Sequence, residues 1–402
     1  MPSNSSPPGA PARQLGEREL ILMVALVQSL QALAIDAMLP ALPLINQDLH
    51  VTNPNHRQLV VGLFLGGIAL GSLIPGPLAD RYGRRRVLIA GLALYVALSL
   101  ACAVSTEFNT LLALRAIGGV CCAAMSVVPP ALIRDRFDGD RMARLQSMIA
   151  AIFLVVPMIA PTIGQGIMLV LGWRWIFGLM ALAGGIILVW VTLRLPETLA
   201  PDNRQPIRVT TIRDNMAATF SNRTSLGYVL ASACPQGVIW GWVQCCEQLL
   251  GEHFGAGANF PYFFGGMALL MACGNLTNSR IVERFGARRV AHTALCVYIG
   301  LAALQVWFAL SPHETLWQFV PLMALNMMLS GFMSANFASI ALQPFPRVAG
   351  SASSVQAFTR LVIGTVIAAL IGQSYDHTAR PLAYGLLAAG ATAMTLVLWS
   401  ER

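Results

Sequence analysis

The sequence predicts an all-α membrane protein of twelve transmembrane helices, arranged as two pseudo-symmetric six-helix bundles. Three observations carry this expectation. Apolar residues make up 56% of the 402 and charged residues only 11%, the mean hydropathy is +0.65, and the apolar residues fall in blocks of about twenty, the length of helix that crosses a hydrocarbon core of ~30 Å. The loops between those blocks alternate between arginine-rich and arginine-poor. Finally, a twelve-residue stretch recurs 203 residues downstream.

The elements follow in order. Residues 1–19, "MPSNSSPPGAPARQLGERE", are polar and Pro/Ser-rich, without the order of regions that marks a cleaved signal peptide, and read as a disordered cytoplasmic tail. Spans are expected at 20–42, 58–79, 87–106, 110–133, 145–171 and 175–195, then at 224–251, 260–280, 289–310, 316–343, 349–373 and 381–400. Each is helical, because only a helix satisfies its own backbone within one crossing. The longest polar stretch, 196–223, is a cytoplasmic linker between an N-terminal bundle (20–195) and a C-terminal bundle (224–402).

All 26 cations are arginine. With the N-terminus inside, the cytoplasmic loops carry Arg81, Arg84, Arg85, Arg86, Arg134, Arg136, Arg141 and Arg144, five arginines between Arg194 and Arg223, then Arg280, Arg284, Arg288, Arg289 and Arg347. The opposite side holds Arg57, Arg174 and Arg380. This bias fixes both termini in the cytoplasm and accounts for the net charge of +8 without a nucleic-acid partner. The eight cysteines all lie inside apolar blocks with no metal-ligand spacing, as buried small apolar residues do. No nucleophile–base set or metal cluster is legible, so the chain does not read as an enzyme, and no cofactor is expected.

The repeated stretch is "GPLADRYGRRRV" (Gly76–Val87), echoed by "SRIVERFGARRV" (Ser279–Val290). Glu283 falls on Asp80, Arg284 on Arg81 and Gly286 on Gly83, and the same offset puts Arg347 on Arg144. Two six-helix halves in parallel repeat place a substrate site between them near the midplane.

Ionisable residues within spans are presumed functional, because burying them in lipid is costly. Asp36 lies about 9 Å from the outer end of the first span and Arg115 about 8 Å into the fourth, at ~1.5 Å per residue, so the two are expected to share one depth and to pair. Asp36 is then the candidate proton carrier, its charge balanced between burial and the arginine. Arg360, near the middle of the eleventh span, has no carboxylate one turn away, and its partner is expected on another helix, on Glu247 of the seventh span, or on a substrate. Gln31, Phe64, Tyr228, Trp240, Gln244 and Asn336 complete the candidate cavity lining.

"GPLADRYGRRRV" resembles motif A of the major facilitator superfamily, "LRAIGGVCCA" around Arg115 resembles its motif B, and "APTIGQ" (Ala160–Gln165) resembles the antiporter motif C. "IDAMLPALPLI", "LGWRWIFGLMAL", "LRLPETL" and "AGSASSVQAFTRLVIG" are similar to the Bcr/CflA branch of drug:proton antiporters, over residues 36 to about 385. The resemblance implies a major facilitator fold in a bacterial inner membrane, working as a monomer and exporting small amphipathic drugs in exchange for protons. Under it, Asp36 is the coupling carboxylate and Arg115 its modulator. Gly76, Asp80, Arg81, Gly83, Arg84 and Arg85 form a cytoplasmic latch against the start of the eleventh helix, and Pro161 and Gly164 shape the fifth helix. The rival reading is proton-coupled uptake of a small metabolite such as a nucleobase or nucleoside.

Overall fold

The structure, a computed structural model, describes residues 15–137, 139–199, 204, 220–345 and 349–402. Twelve long helices account for nearly all of them, and no strand occurs among the described residues. They are α1 (Glu17–Asp36), α2 (two segments, Leu59–Gly71 and Pro75–Tyr82), α3 (Arg84–Ala103), α4 (Phe108–Arg134), α5 (Gly139–Leu171) and α6 (Arg174–Arg194). The second half holds α7 (Arg223–Glu247), α8 (Phe260–Phe285), α9 (Ala287–Leu310), α10 (Leu316–Leu342), α11 (Ala349–Gln373) and α12 (Arg380–Glu401). Helix α1 opens three residues inside the expected tail. Residues 1–14, most of the expected linker and Arg347 lie outside the described residues.

Local chemistry sets the boundaries. Asn222 caps α7 by accepting from the Ser225 N–H (2.9 Å), and Thr315 and Gln318 form a capping box at α10. The two segments of α2 meet at an angle of 48°, with Pro75 opening the second segment, where a proline's missing N–H costs nothing. Gly83 separates α2 from α3 at φ 103°, and Gly286 separates α8 from α9 at φ 79°, a backbone region that disfavours any side chain.

Among the described residues nine helices are long and apolar enough to cross a membrane, and the bent α2 makes a tenth. Helices α7 and α8, of 25 and 26 residues, are long enough at ~1.5 Å per residue but less apolar. For α7 the reason is burial: nearly all its side chains face protein, so lipid does not dictate their polarity. Exposed apolar residues such as Leu70, Leu169 and Val170 ring the bundle. Trp175, Tyr262, Trp307 and Trp317, 58–75% exposed, gather at its arginine-poor end, as interfacial aromatics do.

The packing repeats. Helix α1 packs on α4, α5 and α6 as α7 packs on α10, α11 and α12. Helix α2 lies on α4 as α8 lies on α10, and α3 touches α4 and α6 as α9 touches α10 and α12. Between the halves, α2 meets α11 and α5 meets α8, which are equivalent positions in the two repeats.

Candidate functional site

Just beyond the end of α1 the chain touches α7 of the other half. Asp36 is the last residue of α1 and is 6% exposed. Among the described residues its carboxylate has no hydrogen bond or ion pair; Cys246 of α7 is close enough to interact with it electrostatically. Directly beyond it, α5 presses its motif-C glycine onto the chain: a Cβ on Gly164 would lie 2.0 Å from the Ala37 carbonyl oxygen. Only glycine permits that approach, and Asp36 is thereby enclosed by α1, α5 and α7.

Arg115 is buried nearby but does not pair with Asp36. Its Nε donates to the Val60 carbonyl (3.0 Å) and its NH2 to the Ala34 carbonyl (2.9 Å), and the guanidinium lies 4.0 Å above the Phe64 ring. The physical reason is the helix terminus. The last carbonyls of α1 lack an intrahelical partner, and Arg115 takes up the one at Ala34, leaving the neighbouring carboxylate free.

At the arginine-poor end a polar seam joins the halves. Asn55 Nδ2 donates to the Tyr375 carbonyl (2.8 Å), Gln373 Nε2 donates to the Asn55 carbonyl (3.1 Å), and Gln248 Nε2 donates to Asn55 Oδ1 (3.2 Å). Gln58, wholly buried, donates to Gln248. Arg57, 4% exposed, pairs with Glu252 at 2.6 Å and with Glu247 at 3.6 Å. The other two arginines at this end stay within their own half, Arg174 on Asp48 and Arg380 on the Ala309 carbonyl.

At the arginine-rich end the described residues leave two cavities. One cavity of 480 Å³ lies between Gly76, Asp80, Arg84 and Arg134 on one side and Ser353, Ser354 and Val355 of α11 on the other. A second, of 340 Å³, opens between α1, α4 and α5 and is lined by Gln28, Gln31, Ser126, Gln146 and Phe153. The two share Pro130 and Gln146.

The motif-A residues form a network within the first half. Arg84, 5% exposed, pairs with Asp80 (2.6 Å) and Asp135 (3.2 Å), and Asp135 also accepts from Thr198 Oγ1 (3.1 Å). Glu197 Oε1 accepts from the Arg84 N–H (2.8 Å) at the start of α3, and its carboxylate covers Gly83 so closely that a Cβ there would lie 2.2 Å from Oε2. Arg85 donates to the Thr192 carbonyl (2.7 Å), and Arg81 lies over Tyr82. Asp80 pairs with Arg84 one turn away; its expected contact with the first turn of α11 involves side chains that lie outside the described residues.

Several expected lining residues are structural. Phe64 is covered by Arg115. Tyr228 is wholly buried, bonded to His292 (2.9 Å) and Glu401. Asn336 Nδ2 donates to Asn278 Oδ1 (3.0 Å), tying α10 to α8. Gln244 is buried among α2, α7 and α11, its oxygen facing Gly62 and Gly372. Glu247 belongs to Arg57 rather than to Arg360. Trp240 lies against Gly364 of α11, and Gln31 does line a cavity. The sequence reading missed Asn55, Gln58 and Glu252 in the seam and Asp135 and Glu197 in the motif-A network. The quoted "LRLPETL" already contained Glu197; the other residues carry no local signal.

Comparison with known proteins now becomes informative. The family described as the Major Facilitator Superfamily matches residues 24–369. The chain belongs to that superfamily. This makes it a multi-pass membrane transporter of small molecules rather than an enzyme. Within the superfamily it is 29% identical over 370 residues to the bicyclomycin resistance protein homolog of Haemophilus influenzae, covering 90% of this chain and 91% of that one. It is 30% identical over 346 residues to the multidrug resistance protein MdtL of Escherichia coli, 84% of each chain being covered. Among solved structures, a D-xylose–proton symporter superposes with a TM-score of 0.73 at 13% identity, covering 95% of this chain and 96% of that one. An inward-facing, unoccupied bacterial homolog of the human lysosomal transporter Spinster gives 0.68 at 16%, covering 96% and 95%. At these identities both structures speak to the fold.

Proposed function

We propose that the chain exports drug-like amphipathic molecules from the bacterial cytoplasm in exchange for protons, by alternating access. The arginine-rich end faces the cytoplasm under the positive-inside bias, so the two cavities open inward and the polar seam closes the outside. The names of the relatives support a drug as cargo.

The observation that carries the coupling is Asp36. A lone carboxylate enclosed where three helices of both halves converge costs several kcal/mol when ionised, and a proton removes that charge. When the halves rock and the seam opens, Asp36 is the acidic side chain at the outer end that gains water and takes up an external proton. Reclosure of the seam carries the proton to the cytoplasmic side, where cargo binding displaces it. Each proton moving inward through 100 mV supplies about 2.3 kcal/mol, enough for export up a gradient of about forty-fold when the cargo is neutral. Gly164 holds α5 against Ala37, so a movement of α5 is felt at Asp36.

The test uses inverted membrane vesicles energised by a proton gradient, with the neutral amphipathic compound fusidate methyl ester as cargo. Asp36→Asn is expected to abolish gradient-driven accumulation while leaving the thermal unfolding temperature of the purified protein within a few degrees of wild type. Full accumulation of the ester by the variant would overturn the role of Asp36. Gradient-driven movement in the opposite direction by the wild type would identify an uptake system instead.

A further inference from the structure

We infer that Arg360 is the cargo anchor of this transporter, and that the cargo it selects carries an anionic group, such as a carboxylate, on an otherwise apolar body. The inference rests on the transport reading above and adds to it the class of substrate.

A structural arginine in this chain has a recognisable environment. Arg115 is 3% exposed, spends its guanidinium on two main-chain carbonyls and covers the remaining face with Phe64. Arg360 has none of this. Among the described residues it has no hydrogen bond, ion pair or aromatic face, and it is only partly buried.

It is nonetheless placed toward protein. Four residues before it, Gln356 Nε2 reaches Ser225 Oγ (3.1 Å) and the Ala341 carbonyl (2.9 Å). Four residues after it, Gly364 abuts Gly237 and Trp240. Residues four apart share a helix face, so Arg360 occupies the stripe of α11 that faces α7. Seven residues before it on that face is Ser353, which lines the 480 Å³ cavity; Arg360 is thus about 10 Å deeper along the same helix face, about midway through α11.

Among the described residues of its own half, no acidic neighbour is left to neutralise it. The second half contains six acidic residues, Glu247, Glu252, Glu283, Glu314, Asp376 and Glu401, all at the ends of helices or in loops. Glu247 and Glu252 are held by Arg57 and Glu401 by Arg288 (3.1 Å). The nearby hydroxyls of Ser232 and Thr359 donate to their own helices, and Gln356 is spent as described. A guanidinium cannot shed its proton and offers five donors in a planar fork that matches a carboxylate. At mid-depth in a membrane, an ion this free of partners is a site waiting for a counter-ion. The inner cavity beside α1, α4 and α5, which shares Pro130 and Gln146 with the cavity lined by Ser353, offers an apolar surface, with Phe153 and Ile149 among the amides of Gln28, Gln31 and Gln146.

The decisive comparison uses a matched pair of cargoes, fusidate and its methyl ester, which share one apolar body and differ in the carboxylate. Both are measured in proteoliposomes of the full chain under an imposed proton gradient, for wild type, Arg360→Gln and Arg360→Lys. Wild type is expected to transport the acid with at least a ten-fold lower KM than the ester. Arg360→Gln should raise the KM for the acid at least ten-fold and leave the ester unchanged, and Arg360→Lys should recover part of the difference. Equal KM values for the acid in wild type and Arg360→Gln would overturn the inference, as would loss of acid and ester alike with a lowered unfolding temperature, which marks a structural arginine. Transport of the ester alone by wild type refutes the anion selectivity and leaves the export reading standing. No gradient-driven movement of either cargo refutes both.

Discussion

Removing Arg57 is the sharpest perturbation of the conformational balance. The Arg57→Ala variant loses two cross-half contacts, the 2.6 Å pair with Glu252 and the 3.6 Å pair with Glu247. They differ in value. The Glu252 side chain is 43% exposed, so that pair contributes at most about 1 kcal/mol. Glu247 is 7% exposed, and stripping a buried carboxylate of its counter-ion costs about 3–5 kcal/mol. The longer distance argues for the lower figure. A loss of about 3 kcal/mol is a factor of roughly 150 in the closed-to-open ratio, so an outer end closed 99:1 would become roughly 40:60. The assay is pulsed electron–electron resonance between spin labels attached through unnatural amino acids at Thr106 and His313, both exposed and on opposite halves. A second, longer distance should appear in Arg57→Ala. Glu247→Gln, which removes the buried charge itself, should produce less of it, and the Arg57→Ala/Glu247→Gln pair should be sub-additive. Identical distance distributions in wild type and Arg57→Ala would refute the claim that this seam holds the outside shut.

Other outcomes follow from the same geometry. Asp135→Ala removes one of two carboxylates around buried Arg84 and should cost about 2–3 kcal/mol of stability, read as a lowered unfolding temperature; Glu197→Gln should cost about 1 kcal/mol. Gly164→Ala forces a methyl to within 2.0 Å of the Ala37 oxygen, so α1 and α5 must separate. A loss of about 1–3 kcal/mol is expected, together with proton leak through proteoliposomes measured by a trapped pH dye. In the loop between α9 and α10, burial pushes the Glu314 carboxyl up to about 7. A carboxyl raised on folding is tolerated while protonated, so stability is highest below about pH 4.5 and is lost as the pH rises through 7. Glu314→Gln should therefore leave the protein unchanged at pH 4.5 and stabilise it at pH 8 by about 1–2 kcal/mol, after discounting for its partial exposure. Equal unfolding temperatures of variant and wild type at pH 8 would exclude this.

The spans and their repetition were legible because each depends on local counts: about twenty apolar residues, a cluster of arginines, a glycine at a turn. Sequence gave Arg115 and Asp36 a common depth but not a common direction. Depth is fixed by 1.5 Å per residue, whereas direction depends on which helix carbonyls stand empty, and Ala34 provided one. The same gap hid the seam. Asn55, Gln58, Gln248 and Gln373 are unremarkable polar residues near helix ends, and their pairing spans up to 320 positions of chain. Tyr228 was misplaced for a related reason: the rotation of α7 about its own axis is set by α9 and α12, which supply His292 and Glu401. Arg360 was legible as an anomaly in the sequence, since no acidic residue stood near it there and, among the described residues, none pairs with it in space.

The two glycine turns, alike in backbone angle, differ in what lies over them. Gly83 is covered by Glu197, which also binds the first N–H of α3, so the ends of α2, α3 and α6 are fastened together as one stiff corner. Among the described residues nothing lies within 4 Å of where a Cβ on Gly286 would project, and none of them fastens the corner between α8 and α9 in this way. A duplicated design has thus kept the bend and dropped the bolt in its second copy. Mechanical compliance is unequal as a result: when the halves exchange positions, deformation concentrates at the second corner, while the first moves as a block. Amide exchange should be faster across 286–290 than across 83–87, a difference in flexibility between segments of nearly identical sequence.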